Sequence, residues 1–144
     1  MRGYVLDTST LSRFAPGRPP GVEVVETLRR VHRSLFVPTI AIAEIRAAIS
    51  KARRMGATSK ARELDEWFIG LRVRFGEQIL DFDRDAADRA GKIADFATGM
   101  GRHPGFADVA IAGIASARDM AVLTENLKHF QPLGIHALTL ETRS

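Results

Sequence analysis

The 144-residue chain contains no cysteine. Disulfides, thiolate metal sites and cysteine nucleophiles are therefore excluded, and a reducing compartment is the natural expectation. It also has no apolar run near the roughly 18 residues needed to cross a bilayer. The longest candidate, Phe106 to Ala117, spans 12 residues and carries Asp108. Asp7 falls where the apolar segment of a secretory signal would have to lie, so a cytoplasmic protein with no membrane association is expected. Internal repeats, low-complexity tracts and linkers are missing too. What remains is 45% hydrophobic and 26% charged, the profile of one globular domain over residues 1–144.

Charge is unevenly placed. Between Arg46 and Arg74 stand eight basic residues against three acidic ones, a local surplus of five in a chain whose net charge is +4. The remainder therefore carries −1. Such a basic sector fits an anionic partner or an interaction surface, or else a solvated pair of helices.

Hydrophobic periodicity gives the architecture. Gly3–Leu6, Leu35–Pro38, Gln78–Leu80, Met120–Leu123 and Ile135–Leu140 read as short strands. Pro16, Gly17, Pro19, Pro20 and Gly21 mark a loop. Helical spacing is expected over 22–33, from Thr39 to near Gly56, over 58–75, from Asp83 to about Gly99, and over 108–119. Thr39 and Asp83 stand where caps would lie. Strands alternating with helices, joined by segments too long for hairpins, predict an α/β domain: a central parallel sheet with helices on both faces.

In such sheets sites form beyond the carboxyl ends of strands. Two apolar strands end in polar clusters, Asp7-Thr8-Ser9 and Thr124-Glu125-Asn126. Two helices each carry one acid among apolar neighbours, Glu44 and Asp108. Each acid has an ordinary reading: Asp7 and Asp108 as helix caps, Glu44 paired with Arg46 or Lys51. Asp83 and Asp119 read as a cap and a helix end. Were Asp7, Glu44 and Asp108 to converge within about 5 Å, each like-charge pair would cost about 3 kcal/mol at an effective dielectric near 20. A divalent cation relieves that repulsion, and all-oxygen ligands favour Mg²⁺ or Mn²⁺. The four histidines, His32, His103, His129 and His136, read as surface or isolated side chains rather than ligands.

These pieces resemble the PIN-domain family, specifically the toxin ribonucleases of VapBC-type toxin–antitoxin pairs and their FitB-like relatives. The resemblance runs through Leu6-Asp7-Thr8-Ser9, Ala43-Glu44-Ile45, Asp108-Val109-Ala110-Ile111-Ala112 and Leu123-Thr124-Glu125-Asn126-Leu127-Lys128-His129-Phe130. It implies a catalytic and metal-binding acidic triad of Asp7, Glu44 and Asp108, supported by Thr8, Ser9 and Thr124. Asn126 stands where many relatives carry a fourth acid, which leaves one or two metal ions open. The implied activity is Mg²⁺- or Mn²⁺-dependent hydrolysis of RNA to a 5′-phosphate and a 3′-hydroxyl. The implied partners are an RNA substrate, a second copy of the chain and a small DNA-binding antitoxin. The alternative is a PIN-fold module that binds RNA or protein without cleaving. A phosphoaspartate receiver and a dehalogenase-type phosphatase fit less well, lacking a second acid beside Asp7 and a lysine after the last strand.

Overall fold

The computed structural model describes residues 3–17 and 21–140; Pro19 and Pro20 of the expected loop lie outside them. Five strands, β1 (Tyr4–Leu6), β2 (Leu35–Pro38), β3 (Ile79–Leu80), β4 (Ala121–Leu123) and β5 (Ala137–Leu138), form one sheet in the order β3-β2-β1-β4-β5. Every pairing is parallel, with Tyr4 opposite Leu35 on one side and Ala121 on the other. The chain builds outward from β1 through β2 to β3, then returns to add β4 and β5 on the opposite side. The reversal places the carboxyl ends of β1 and β4 next to each other, where a parallel sheet opens a crevice.

The helices are α1 (Thr8–Leu11), α2 (Val22–Arg30), α3 (Thr39–Arg54), α4 (Thr58–Phe75), α5 (Arg84–Gly99), α6 (Phe106–Ala117) and α7 (Leu127–Phe130). Alternation along β1 sends Val5 to one face and Leu6 to the other, so each face has its own core. On one, Leu6, Leu35, Val37 and Leu123 pack with Ile45 and Ile49 of α3 and Phe68 of α4. On the other, Val5 and Val122 pack with Ile111 and Ile114 of α6, Ala86 and Ala97 of α5, and Phe130 of α7. Helices therefore cover both faces of the parallel sheet, as expected.

Residues 109–115 of α6 are buried without a break, matching their uniformly apolar character. Helix α5 lies close against them because Gly113 has no side chain. A Cβ there would stand 2.4 Å from the Ala86 carbonyl oxygen and 2.9 Å from the Ala90 Cβ. Backbone cannot yield as a flexible side chain can. Gly113→Ala is therefore expected to destabilise the fold by about 1–3 kcal/mol, read as a lower urea midpoint at unchanged slope.

Helices α3 and α4 form an antiparallel pair that carries the basic sector. Part of that charge is neutralised internally. Asp65 accepts from Arg46 Nη2 at 3.0 Å and faces Arg53 Nη2 at 3.6 Å, while the guanidinium groups of Arg46 and Arg72 both lie over the Phe68 ring. The hydrogen bond from Arg46 holds the Asp65 carboxyl below its ordinary 3.8. A carboxylate with a depressed folded pKa adds stability above the unfolded value, which disappears as pH falls through the lower folded one. Asp65→Asn should therefore show a shallower loss of stability below about pH 4, measured by thermal melts across an acid series.

Two expected caps differ. Asp83 does cap α5, accepting from the Ala86 amide at 3.0 Å. Thr39 instead begins α3 behind Pro38, and its Oγ1 accepts from the Phe82 amide at 3.1 Å, tying α3 to the segment after β3. Asp119 does follow the end of α6, at a positive φ of 53°.

Candidate functional site

The chain leaves β1 at Asp7, whose backbone carbonyl accepts the first amides of α1, from Thr10 and Leu11. Its carboxylate makes no cap bond, so it is free of the ordinary role that its position suggested. Instead it points across to β4. Oδ2 accepts from Ser9 Oγ at 2.8 Å and from Thr124 Oγ1 at 2.9 Å. Each hydroxyl has one proton, and both are donated to Asp7, so the 3.4 Å approach between Ser9 and Thr124 is a contact only. As acceptors the same hydroxyls hold the start of the next loop. Ser9 Oγ takes the Glu125 amide at 3.1 Å, and Thr124 Oγ1 takes the Asn126 amide at 2.9 Å.

Asp7 is only 5% exposed and Thr124 is fully buried. No described residue donates to the other carboxylate oxygen of Asp7, Oδ1. A buried carboxylate oxygen without a donor is costly unless a cation or water completes it. The network thus fixes one oxygen and leaves the other available.

Asp108 occupies the first turn of α6 but does not cap it; Gly105 is the N-cap, and the helix begins two residues earlier than expected. Burial pushes the Asp108 carboxyl up, the negative charge of Asp7 pushes it further, and Glu44 adds a smaller push. His129 opposes them, its Nδ1 lying 3.2 Å from Asp108 Oδ2. The three acids therefore share one electrostatic neighbourhood. His129 is not isolated, contrary to expectation. Its contact comes from α7, 21 residues along the chain, and no sequence period announces it.

Glu44 also departs from expectation. It is exposed, because α3 turns Ala41 and Ile45 inward and leaves Glu44 on the open side. It pairs with neither Arg46 nor Lys51, and its Oε1 accepts from Thr8 Oγ1 at 2.6 Å. Thr8 thus supports Glu44 and not Asp7. Glu125 is turned away, bound to Arg13 Nη1 at 2.6 Å. Asn126 is exposed at the start of α7 and makes no side-chain cap bond.

Among the described residues no three His, Cys, Asp or Glu side chains are arranged to hold an ion unaided. Asp7, Glu44 and Asp108 feel one another's charge but do not close into a tight triad. Two of them are held apart by other partners, Glu44 by Thr8 and Asp108 by His129. That donor set still suits Mg²⁺, which keeps several waters and takes one or two carboxylates directly. Asp7 Oδ1, lacking a donor, is the strongest single match to a hard cation.

Residues 4–131 match the family model of the PIN domain. No curated protein matches the chain. Among solved structures, FitAcB from Neisseria gonorrhoeae is similar with a TM-score of 0.81 and 23% identity, over 97% of this chain and 99% of that one. DNA-bound VapBC from Salmonella typhimurium follows at 0.77 and 27%, over 97% and 99%. VapBC-1 from nontypeable Haemophilus influenzae gives 0.75 and 21%, over 96% and 98%.

Proposed function

The chain belongs to the PIN domain family, and from that membership and its three neighbouring acids we propose that it is a divalent-metal-dependent endoribonuclease, the toxin of a VapBC-type toxin–antitoxin pair. The observation that carries the reading is Asp7: buried at the reversal of strand order, one oxygen fixed by two hydroxyls, the other without a donor, and close enough to Asp108 to raise its pKa. Asp7 and Asp108 would hold Mg²⁺, or Mn²⁺ in its place, with Glu44 reaching it directly or through water. Bound there, the ion supplies Lewis-acid polarisation of a phosphate and a water of lowered pKa. Ser9 and Thr124 orient Asp7, Thr8 positions Glu44, and His129 positions Asp108. Asn126 offers an uncharged amide at the rim. RNA is the substrate, and the cytoplasm is where the protein would meet it.

An antitoxin has a natural seat. A cavity of about 690 Å³ lies between α1, α2 and α4, walled by Leu11, Phe14, Val25, Leu28, Trp67 and Leu71 among others. Arg29 and Arg74 stand at it with Glu66, so an apolar segment carrying acidic residues would be matched there. Exposed Ile69 and Val73 on α4, and Phe96, Met100 and Phe106, offer apolar surface for a second copy of the chain. Among the described residues no helix is long and apolar enough to cross a membrane.

Controlled expression tests the reading as a toxin. Induction should arrest growth, Asp7→Asn should remove the arrest, and co-expression of a short DNA-binding protein encoded beside this chain should relieve it. Growth unaffected by the native chain, at expression levels confirmed by immunoblot, would contradict it.

A further inference from the structure

Beside Asp108 lies a smaller cavity of about 240 Å³ whose other lining residues the metal chemistry does not use. Asp108 and His129 line it together with Arg102, His103, Gly105 and Lys128. Building on the ribonuclease reading, we propose that this cavity is a single-nucleotide subsite, which takes the phosphate and base of the residue next to the scissile bond and so sets where the RNA strand lies.

Three observations point there. The first is position: because Asp108 lines the cavity and also neighbours Asp7, an occupant is an immediate neighbour of the reacting phosphate. The second is charge. Arg102 and Lys128 are exposed and make no ion pair among the described residues, whereas Arg13, Arg46 and Arg118 are each bound to a carboxylate. Asp108 is the one acid in the lining, against the two cations Arg102 and Lys128. Gly105, the N-cap of the 12-residue α6, has no side chain to cap that helix, which favours an anion at the same place. The third is shape and surface. The volume is below the ~300 Å³ at which pockets for drug-sized ligands begin, and a duplex would not enter. Imidazole rings of His103 and His129 and the flat faces of Pro104 and Pro132 give an unstacked base something to lie against. Sequence-reading proteins bind single-stranded RNA in this manner, stacking splayed bases on rings while cations hold the backbone.

The probes are 5′-AMP and adenosine, titrated into the full chain in EDTA so that no metal bridges the phosphate. Amide NMR shifts locate binding. The expected result is shifts at Arg102, His103, Gly105, Lys128 and His129, with adenosine binding at least about tenfold more weakly, the size of one phosphate contact near 1.4 kcal/mol. Arg102→Ala with Lys128→Ala should weaken 5′-AMP binding by a similar factor and flatten its dependence on KCl. Lys92→Ala, which removes an exposed cation on α5, should do neither. In the presence of Mg²⁺ the same double variant should raise KM for a short single-stranded RNA more than it lowers kcat. Equal binding of adenosine and 5′-AMP, shifts confined elsewhere, or a double variant that binds like the native chain would each overturn the subsite. A protein that hydrolyses RNA yet fails in this way leaves the ribonuclease reading standing. One that binds 5′-AMP as described but hydrolyses no RNA overturns that reading, and with it the substrate assigned to the cavity.

Discussion

Asp7→Asn is expected to lower RNA cleavage by about a thousandfold or more, roughly 4 kcal/mol of lost transition-state stabilisation, in a protein that remains folded. The substitution keeps the size of the side chain and an oxygen that can still accept from Ser9 and Thr124, so the packing at the end of β1 has no reason to collapse. What it removes is the charge. Asp7 supplies the buried negative oxygen that no described residue satisfies, and a neutral amide binds a hard cation far less well. Without metal the native arrangement carries an electrostatic cost, because burial first and the charge of Asp7 second push the Asp108 carboxyl up. The variant should therefore melt at or above the native temperature in EDTA, and gain less than the native protein when Mg²⁺ is added. Asp108→Asn should behave alike. Asp83→Asn is the contrast: Asp83 caps α5 and pairs with Arg118 at 3.0 Å, so its loss should touch stability and leave cleavage unchanged. Cleavage assays beside circular dichroism and thermal melts check each part.

Thr124→Val is the second large effect, and it separates support from direct action. Valine fills the same fully buried volume but has no hydroxyl. The Asn126 amide loses its acceptor and Asp7 Oδ2 loses one of its two donors. Losing the buried hydrogen bond to the Asp7 carboxylate costs about 1.5–3 kcal/mol, so the urea midpoint should fall accordingly. Asp7 would then be held by Ser9 alone, and cleavage should drop by about tenfold to a hundredfold through misplacement of the carboxylate. Thr124→Ser restores the hydroxyl and should recover most of both losses. If the valine variant matched the native protein in stability and rate, the hydroxyl network would have no part in holding Asp7.

The sequence and the structure agree on most of the local patterns. The stripe Leu64, Trp67, Phe68 and Leu71 places α4 at 58–75, and the structure has the same bounds. Apolar runs halted by polar clusters locate the ends of β1 and β4, which become neighbours in the sheet. Pairings between distant segments were not legible. Thr8 meets Glu44 across 36 residues, Arg13 meets Glu125 across 112, and His129 reaches Asp108 from a four-residue helix too short to leave a periodic signal. Glu44 misleads in the opposite direction. Its neighbours in sequence are apolar, yet on a helix adjacent residues point about 100° apart, so Glu44 faces outward while Ile45 is buried. The basic sector was visible as a count, but its partial neutralisation by Asp65 depends on how α3 and α4 pack.

The most direct measurement is cleavage of a labelled single-stranded RNA by the purified chain in Mg²⁺ and in EDTA, with the chemistry of the new ends determined. The native chain should cut in Mg²⁺, leaving a 5′-phosphate and a 3′-hydroxyl, and should stop in EDTA; Asp7→Asn should cut in neither. Cutting that persists in EDTA and in Asp7→Asn, or RNA bound in Mg²⁺ but never cut, would contradict a metal-dependent ribonuclease centred on Asp7.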